Sequence, residues 1–470
     1  MAPDSDLKAQ LDRLFLPRSV AIVGVPRGMK TGKLFLMAFQ DQGFDGPLYP
    51  VHPEASEIDG LKAYPTVSAI PGPVDLAVVL VPHDRVLPVV RECAAKGVKG
   101  VVLFTAGYKE TGTAEGRALE EELLSAARPA GMRLIGPNCM GLYAPRGRVS
   151  FFPGLSREPG PVGLISHSGS LANIVARIAA DKGLRFSKVA SLGNECDLCA
   201  ADFLEYLAED EETGLIGAYL EGIRDGARFL AGLRRASLRK PVILWKVGLT
   251  PEGGRAAGSH TGALAGSKEV WAGVVRQGGA VPVVGFEAWV DALMAFSLLP
   301  PDLGDRLAVI SGPGGLAVSA AEALGRAGLK LAELSPETRT RLAGAVPPAG
   351  TSLMNPIDIG LTASLEIEIY IQAARIAAQD PGVDAVVVIG IGLSPEANRR
   401  YTEAMIEARD QFGKPFVLVG IPGFEPGMAR TFLKAGVPFF ESAERAMHQY
   451  ALAWQYQRWR KSGKEGEAGG

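Results

Sequence analysis

His260 is one of five histidines in 470 residues, and it lies in "GGRAAGSHTGALAG" (253–266). Its neighbours are glycine, alanine, serine and threonine, with no apolar run to bury the ring. A neutral imidazole is nucleophilic near pH 7 without a strong base to generate it. Small residues give such a group clearance, and Gly253, Gly254, Gly258, Gly262 and Gly266 permit a mobile loop that could carry it between stations. The plain alternative is a surface histidine on a flexible loop.

A second chemistry is written in strand-turn-helix segments. "VGLISHSGSLANIVARIAADKGL" (162–184) and "LAVISGPGGLAVSAAEALGRAGL" (307–329) align without gaps, and eight of 23 positions match. Each reads as a strand, a small-residue turn and a helix. A helix start leaves backbone N–H groups unpaired and carries partial positive charge, so it binds anions. Gly169 lets a phosphate approach, and Ser168 and Ser170 add hydroxyl donors; Gly314 and Gly315 occupy the turn of the second copy. One terminus contributes about 0.3–1 kcal/mol toward a nearby charge, while burying a phosphoryl group costs several kcal/mol per ion. Two converging helices are therefore the more workable arrangement. The alternative is that any two α/β units look alike. A third such turn, "SVAIVGVPRGMKTGK", has Gly24, Gly28 and Gly32 without the G-x-G-x-x-G spacing of dinucleotide sites. Arg27, Lys30 and Lys33 make it either a cationic site for a multiply phosphorylated ligand or a solvated basic turn.

The elements that must position these groups follow from hydrophobic patterning. Apolar runs such as "SVAIVGV", "VDLAVVLVP", "KGVVLFTAG", "MRLIGPN", "GPVGLISHSG", "SKVASLGN", "PVILWKVG", "RLAVISGPGG", "VDAVVVIGIG" and "KPFVLVGIPG" alternate with helical patterns. Continuous runs suit parallel strands buried on both faces, so the class is α/β, doubly wound. Pro/Gly-rich stretches at 144–161 and 298–305 read as joints, dividing the chain into 1–145, 146–300 and 301–460 with a polar tail 461–470. Apolar residues are 47%, charged residues 21%, and the net charge is −2. No attraction to nucleic acid or acidic membranes is implied. No apolar stretch reaches the length of a membrane span and the N-terminus lacks an apolar signal core, so a cytoplasmic location is expected. Four cysteines do not make a disulfide framework in a chain this long. Cys196-x-x-Cys199 lacks a second pair for zinc, and Glu195 and Asp197 disfavour a thiolate, so structural thiols are expected.

Several of these segments, with "GPLYPVHP", "GYKETG", "RLIGPNCMGL", "SLGNECD", "AYLEGIRD", "KVGLTPEGGRAAGSHTGALAG" and "MNPIDIG", occur in an order that resembles NDP-forming acyl-CoA synthetases, in particular the α subunit of ADP-forming acetyl-CoA synthetase, a relative of succinyl-CoA synthetase. The likeness spans roughly residues 12–455. It implies an N-terminal Rossmann-type CoA-binding domain followed by two flavodoxin-like doubly wound parallel-sheet domains. It also implies a reaction, acyl-CoA, phosphate and ADP giving acid, CoA and ATP, through an acyl phosphate and a phosphohistidine at His260. The same pattern makes Glu221, in "YLEG", the carboxylate that fixes the imidazole tautomer; taken alone, Glu221 is equally a solvated turn residue. Lys246 is expected near the phosphate, with Asn194 a weaker candidate. The CoA site carries over as Gly24, Pro26, Arg27, Lys33, Val51, Val81, Pro82 and Asn138. Departures are "GVPRG" for a G-A-S-R-type turn, His52 for asparagine, Glu54 for lysine, and His167 for the glutamine of "SQSG", where it is a substituted pocket residue or a second phosphoryl acceptor. No ATP-grasp segment or phosphate-binding P-loop is evident, which under the resemblance assigns ADP/ATP and Mg²⁺ to a separate ATP-grasp β subunit in an α₂β₂-like assembly. No metal site is expected on this chain. The rival readings are a non-catalytic CoA or acyl-CoA binding module and a nicotinamide-dependent oxidoreductase.

Overall fold

The computed structural model describes residues 5–261, 266–348, 351–421 and 426–468. The chain forms two compact units, residues 1–180 with 184–285, and residues 181–183 with 286–470.

The first unit holds two large sheets and a two-stranded antiparallel pair, Glu57–Ile58 with Leu61–Lys62. One large sheet runs Leu48–Val51, Val20–Val23, Leu76–Val79, Gly100–Leu103, Arg133–Ile135 in space, all parallel. Every residue of its three central strands is buried, which explains why they read as unbroken apolar runs. The other sheet runs Val281–Val283, Val242–Lys246, Leu215–Leu220, Val162–Ser166, Phe186–Ser191, with Gly141–Tyr143 added antiparallel at its edge. In the second unit the order is Lys330–Leu331, Arg306–Ser311, Ala385–Ile389, Phe416–Val419, Phe439–Phe440, and Ile357–Asp358 pairs with the end of Arg306–Ser311.

Numbered by their own parallel strands, with the off-path strand Ile357–Asp358 set aside, all three large sheets are laid 2-1-3-4-5, so the α/β, doubly wound expectation holds. In such sheets the connections leave the first strand in opposite directions, and ligands bind in the crevice this opens at the carboxyl ends. The aligned repeat also has a common geometry. Ser166 Oγ donates to the Ser168 carbonyl at 2.7 Å, and its counterpart Ser311 Oγ donates to the Pro313 carbonyl at 2.9 Å. In each copy the hydroxyl closes the turn that launches the helix, Gly169–Ile178 or Gly314–Arg326.

Within the first unit the two sheets are tied by their loops. Residues 194–198 run along 134–137 through Asn194 N–H to Pro137 O (3.0 Å), Cys196 N–H to Gly136 O (2.9 Å) and Leu198 N–H to Leu134 O (3.3 Å). Asp197 takes a two-pronged bond from Arg133 at 2.8 and 3.1 Å. Gly193 opens this segment at φ +56°, and a Cβ there would strike the Pro137 and Asn138 carbonyls. Gly193→Ala is therefore expected to cost about 2 kcal/mol or more and to lower the thermal midpoint clearly. Gly315→Ala, whose Cβ would meet nothing within 4 Å, is expected to be neutral or slightly stabilising in the same melting experiment.

Candidate active site

The second sheet of the first unit gathers the groups singled out from sequence along one carboxyl edge. His167 and Ser168 follow Val162–Ser166, Glu221 follows Leu215–Leu220, and Lys246 ends Val242–Lys246. Past Lys246 the chain enters a helix, Pro251–Thr261, rather than the loop expected from its glycines. Its start is built by Thr250, whose Oγ1 accepts the Gly253 N–H at 3.0 Å while its carbonyl accepts the Gly254 N–H at 2.7 Å. Pro251 occupies the first helical position, where its missing N–H costs nothing. Thr-Pro-Glu at 250–252 was the readable signal; the glycines obscured it. Gly253, Gly254 and Gly258 are thus helical and His260 falls in the last turn, while Gly262 lies outside the described residues.

Glu221 is buried, and its backbone is gripped on both sides of the Cα. Its N–H donates to His167 Nδ1 at 3.0 Å, and its carbonyl accepts from Lys246 Nζ at 3.0 Å. Lys246 also reaches the Val247 carbonyl at 2.5 Å and stands 6.0 Å from the centre of the Trp271 ring. Burial pulls the Lys246 ammonium below the ordinary lysine range, with the Glu221 charge acting in the opposite sense. Burial, then the Glu221 carboxylate, push the neighbouring Tyr219 phenol up.

His167 is buried with both ring nitrogens engaged, Nδ1 by the Glu221 N–H and Nε2 by Glu195 Oε1 at 3.1 Å. It has no nitrogen open to accept a phosphoryl group. Asn194 donates through Nδ2 to Glu110 and, at 3.1 Å, to Glu120, so its side chain is committed to carboxylates. Lys109 Nζ closes this cluster on the Asn194 carbonyl at 2.8 Å. Burial raises the Glu120 carboxyl against the opposing pull of Lys109 and Asn194. The short turn Lys109–Thr111 packs against helix Pro251–Thr261. "GYKETG" therefore supports the histidine helix, a role that motif order alone did not suggest.

The anion-type turns differ in detail. Ser168 caps helix Gly169–Ile178 by accepting the Leu171 N–H at 3.3 Å, and Ser170 is exposed. Gly169 is packed closely: a Cβ would lie 2.5 Å from Met140 Cγ and 3.2 Å from Ser191 Oγ. In the second unit Gly315 faces open space, whereas a Cβ on Gly314 would stand 2.6 Å from Asp358 Oδ2. That carboxylate already draws on the positive end of helix Gly314–Arg326.

The residues expected to hold CoA line the carboxyl edge of the first sheet. Gly24, at φ +93°, donates its N–H to the Val51 carbonyl at 3.0 Å, and a Cβ there would press on Val81 N at 3.1 Å. Thr105 joins Val81 to Asn138: its Oγ1 donates to the Val81 carbonyl at 2.7 Å, and its carbonyl accepts the Asn138 N–H at 3.2 Å. Pro82 starts helix His83–Lys96, and Pro26 packs beside Gly32 in the first turn of helix Thr31–Gln42. That helix has no side-chain cap, leaving its first N–H groups available to an anion. Arg27 is exposed. Lys33 is buried and paired with Asp59 at 2.5 Å, so its charge is already partnered. His52 Nδ1 accepts the N–H groups of Glu54 and Ala55, both at 3.1 Å, a turn-closing role that an asparagine oxygen fills equally well.

Two domain families match the chain: the CoA binding domain over residues 18–145 and the succinyl-CoA ligase like flavodoxin domain over residues 159–296. Over 458 residues the sequence is 37% identical to the α subunit of acetate–CoA ligase [ADP-forming] II from Pyrococcus furiosus, covering 95% of this chain and 98% of that one. The chain belongs to the ADP-forming acyl-CoA ligase family. It is also 36% identical to acetate–CoA ligase [ADP-forming] I of Archaeoglobus fulgidus over 95% of its own length, but spans 64% of that longer relative. The fold of the ligase superposes on the dinucleotide forming acetyl-coenzyme A synthetase 1 of Ca. Korarchaeum cryptofilum, solved in complex with phosphate and ADP. The TM-score is 0.86 at 34% identity, covering 96% of this chain and 97% of that one.

The four thiols of the ligase are free, and Cys93, Cys139 and Cys196 are buried. Burial pushes the Cys93, Cys139 and Cys199 thiols up to about 12, and Cys196 well above its ordinary value. At pH 8 a thiol of that kind is thiolate in roughly one molecule in ten thousand. The native ligase is expected to react slowly with an aromatic disulfide at pH 8, faster as pH rises, and to release four equivalents only after unfolding in urea. A thiol titrating near neutrality would contradict these environments.

Proposed function

We propose that the ligase interconverts acyl-CoA, phosphate and ADP with a carboxylic acid, CoA and ATP, with His260 carrying the phosphoryl group. The observation that carries this reading is the double grip on the Glu221 backbone at the switch point of the second sheet. The helix bearing His260 begins four residues after the Lys246–Val247 turn that makes part of that grip. Phosphate oxygen attacks the thioester carbonyl, and CoA leaves as thiolate, giving an acyl phosphate. An imidazole nitrogen of His260 then attacks phosphorus, and the carboxylate of the acid departs. Finally the phosphoramidate bond breaks as a terminal oxygen of ADP takes the phosphoryl group.

Glu221 accepts the N–H of the other ring nitrogen, holding the tautomer that leaves the attacking nitrogen unprotonated. The Lys246 ammonium and the start of helix Gly169–Ile178, with Ser168 and Ser170, stabilise the phosphoryl oxygens. Gly314 and Gly315 mark the corresponding helix start of the second unit, a candidate phosphate-binding turn in its own right. The carboxyl edge of the first sheet, around Gly24, Val51, Val81 and Asn138, binds CoA. In this reading the chain is organised as 1–145, 146–300 and 301–460, and ADP with Mg²⁺ is handled by an ATP-grasp β subunit in an α₂β₂-like assembly in the cytoplasm. Among the described residues no helix is long and apolar enough to cross a membrane, and no cluster of three or more His, Cys, Asp or Glu could hold a metal.

Incubation of the purified chain with acetyl phosphate is expected to place an acid-labile phosphate on His260 and none on His260→Ala. Glu221→Gln is expected to slow the labelling by roughly 100-fold, the scale of a lost proton-positioning group. Equal labelling of His260→Ala, or a phosphate stable to acid, would remove the relay.

A further inference from the structure

The proposed carrier chemistry does not account for His167, a buried imidazole between two carboxylate-bearing loops. Its surroundings fix its protonation state by geometry. Nδ1 lies 3.0 Å from the Glu221 N–H, a group that can only donate, so Nδ1 must be the bare, accepting nitrogen. The ring proton therefore sits on Nε2, which faces Glu195 Oε1 at 3.1 Å. The same oxygen accepts the Ala200 N–H at 2.6 Å, at the start of helix Ala200–Glu209. Glu195 is thus anchored on a helix N-terminus, where a carboxylate is favoured.

The loop after Glu221 returns to the same place. Arg224 Nη1 donates to the carbonyls of Glu195 and, at 3.0 Å, Cys196. The Glu195 and Glu221 loops are consequently joined twice, through the imidazole at one end and the guanidinium at the other. The carbonyl of Glu221 is held separately by Lys246 at 3.0 Å. Between the imidazole and the ammonium, the two peptide groups that flank the Glu221 Cα are held one on each side, through the N–H of the first and the carbonyl of the second.

We propose that His167 is a positioning residue: a strut locked in the Nε2–H tautomer that fixes the Glu221 backbone, and with it the direction of the carboxylate that orients the phosphoryl-carrying imidazole. The inference rests on the assignment of Glu221 and His260 above. It predicts a specific pattern of replacement. A glutamine side chain has one acceptor and one pair of donors on a planar group, so it can accept from the Glu221 N–H and donate to Glu195. Alanine can do neither, and leaves the Glu221 N–H and the Glu195 carboxylate without their shared partner.

The test combines spectroscopy with kinetics on the full chain. With ¹⁵N-histidine labelling, a long-range ¹H–¹⁵N spectrum at neutral pH is expected to show one ring with a protonated Nε2 and a bare Nδ1 whose signals vanish in His167→Gln. A protonated Nδ1 or an imidazolium at His167 would overturn the strut, and this readout needs no variant to turn over. In the acetyl phosphate reaction, His167→Ala is expected to slow labelling of His260 by roughly 10- to 100-fold, the scale of a misplaced group. The concentration of acetyl phosphate giving half the maximal rate should be unchanged, and His167→Gln should recover most of the loss. Wild-type rates in His167→Ala, or a glutamine variant no better than alanine, would overturn the proposal. If His260→Ala is labelled as fully as wild type, the phosphohistidine reading fails by itself, whereas the tautomer of His167 still decides the strut.

Discussion

The backbone at Glu221, held through its N–H and its carbonyl, is the constraint on which the candidate site depends. It sits at the end of a central strand, Leu215–Leu220, next to the strand from which the sheet is laid in both directions. A backbone at such a point emerges into the crevice with no further ladder to hold it. Here side chains replace the ladder, His167 on the N–H and Lys246 on the carbonyl. A carboxylate that must select one tautomer of a nearby imidazole needs a fixed origin, because the hydrogen bond it makes is directional. The burial that sharpens this electrostatic interaction also lowers the affinity of Lys246 for its proton.

The repeated strand-turn-helix unit shows how one local solution serves two settings. Ser166 and Ser311 close the same turn with the same bond, and each helix begins immediately afterwards. The first copy then presents Ser168 as a capping hydroxyl, and the carboxylate beside its turn, Glu195, is bonded to His167 at 3.1 Å. The second faces Gly314 with Asp358, whose Oδ1 also accepts the Gly360 N–H at 3.0 Å. An anion meets a different field at each helix start, although the backbones are alike. A shared turn therefore does not by itself assign a shared ligand.

The ten apolar runs that marked strands all lie in sheets, because strands covered on both faces are predominantly apolar; Lys188 in Phe186–Ser191 is buried only as the partner of Asp210 and Glu212. What those runs overlooked was the central strand Leu215–Leu220, whose apolar run is broken by Gly217, and the sheet edges. Leu48–Val51 and Val281–Val283 each carry a proline, Pro50 and Pro282, which an edge strand tolerates and a central one does not. Lys330–Leu331 and Phe439–Phe440 are two residues long. The glycine run before His260 was misread for a different reason. Its conformation is set by the Thr250 cap and by Ala257, which is buried, rather than by the average propensity of the run. Partners distant in sequence were also out of reach: Lys33 with Asp59 and His167 with Glu195 depend on loops brought together only by the folded sheets. Residues such as Glu110, Lys109 and Glu195 had a motif but no assignable task until their contacts were known.

The central claim, that phosphoryl chemistry takes place at the carboxyl edge of the second sheet, is most directly tested by amide hydrogen exchange with and without inorganic phosphate. Added protection at residues 167–172, 220–224 and 246–254 is the predicted result. Unchanged exchange there, with protection appearing instead at the opposite ends of the same strands, would contradict it.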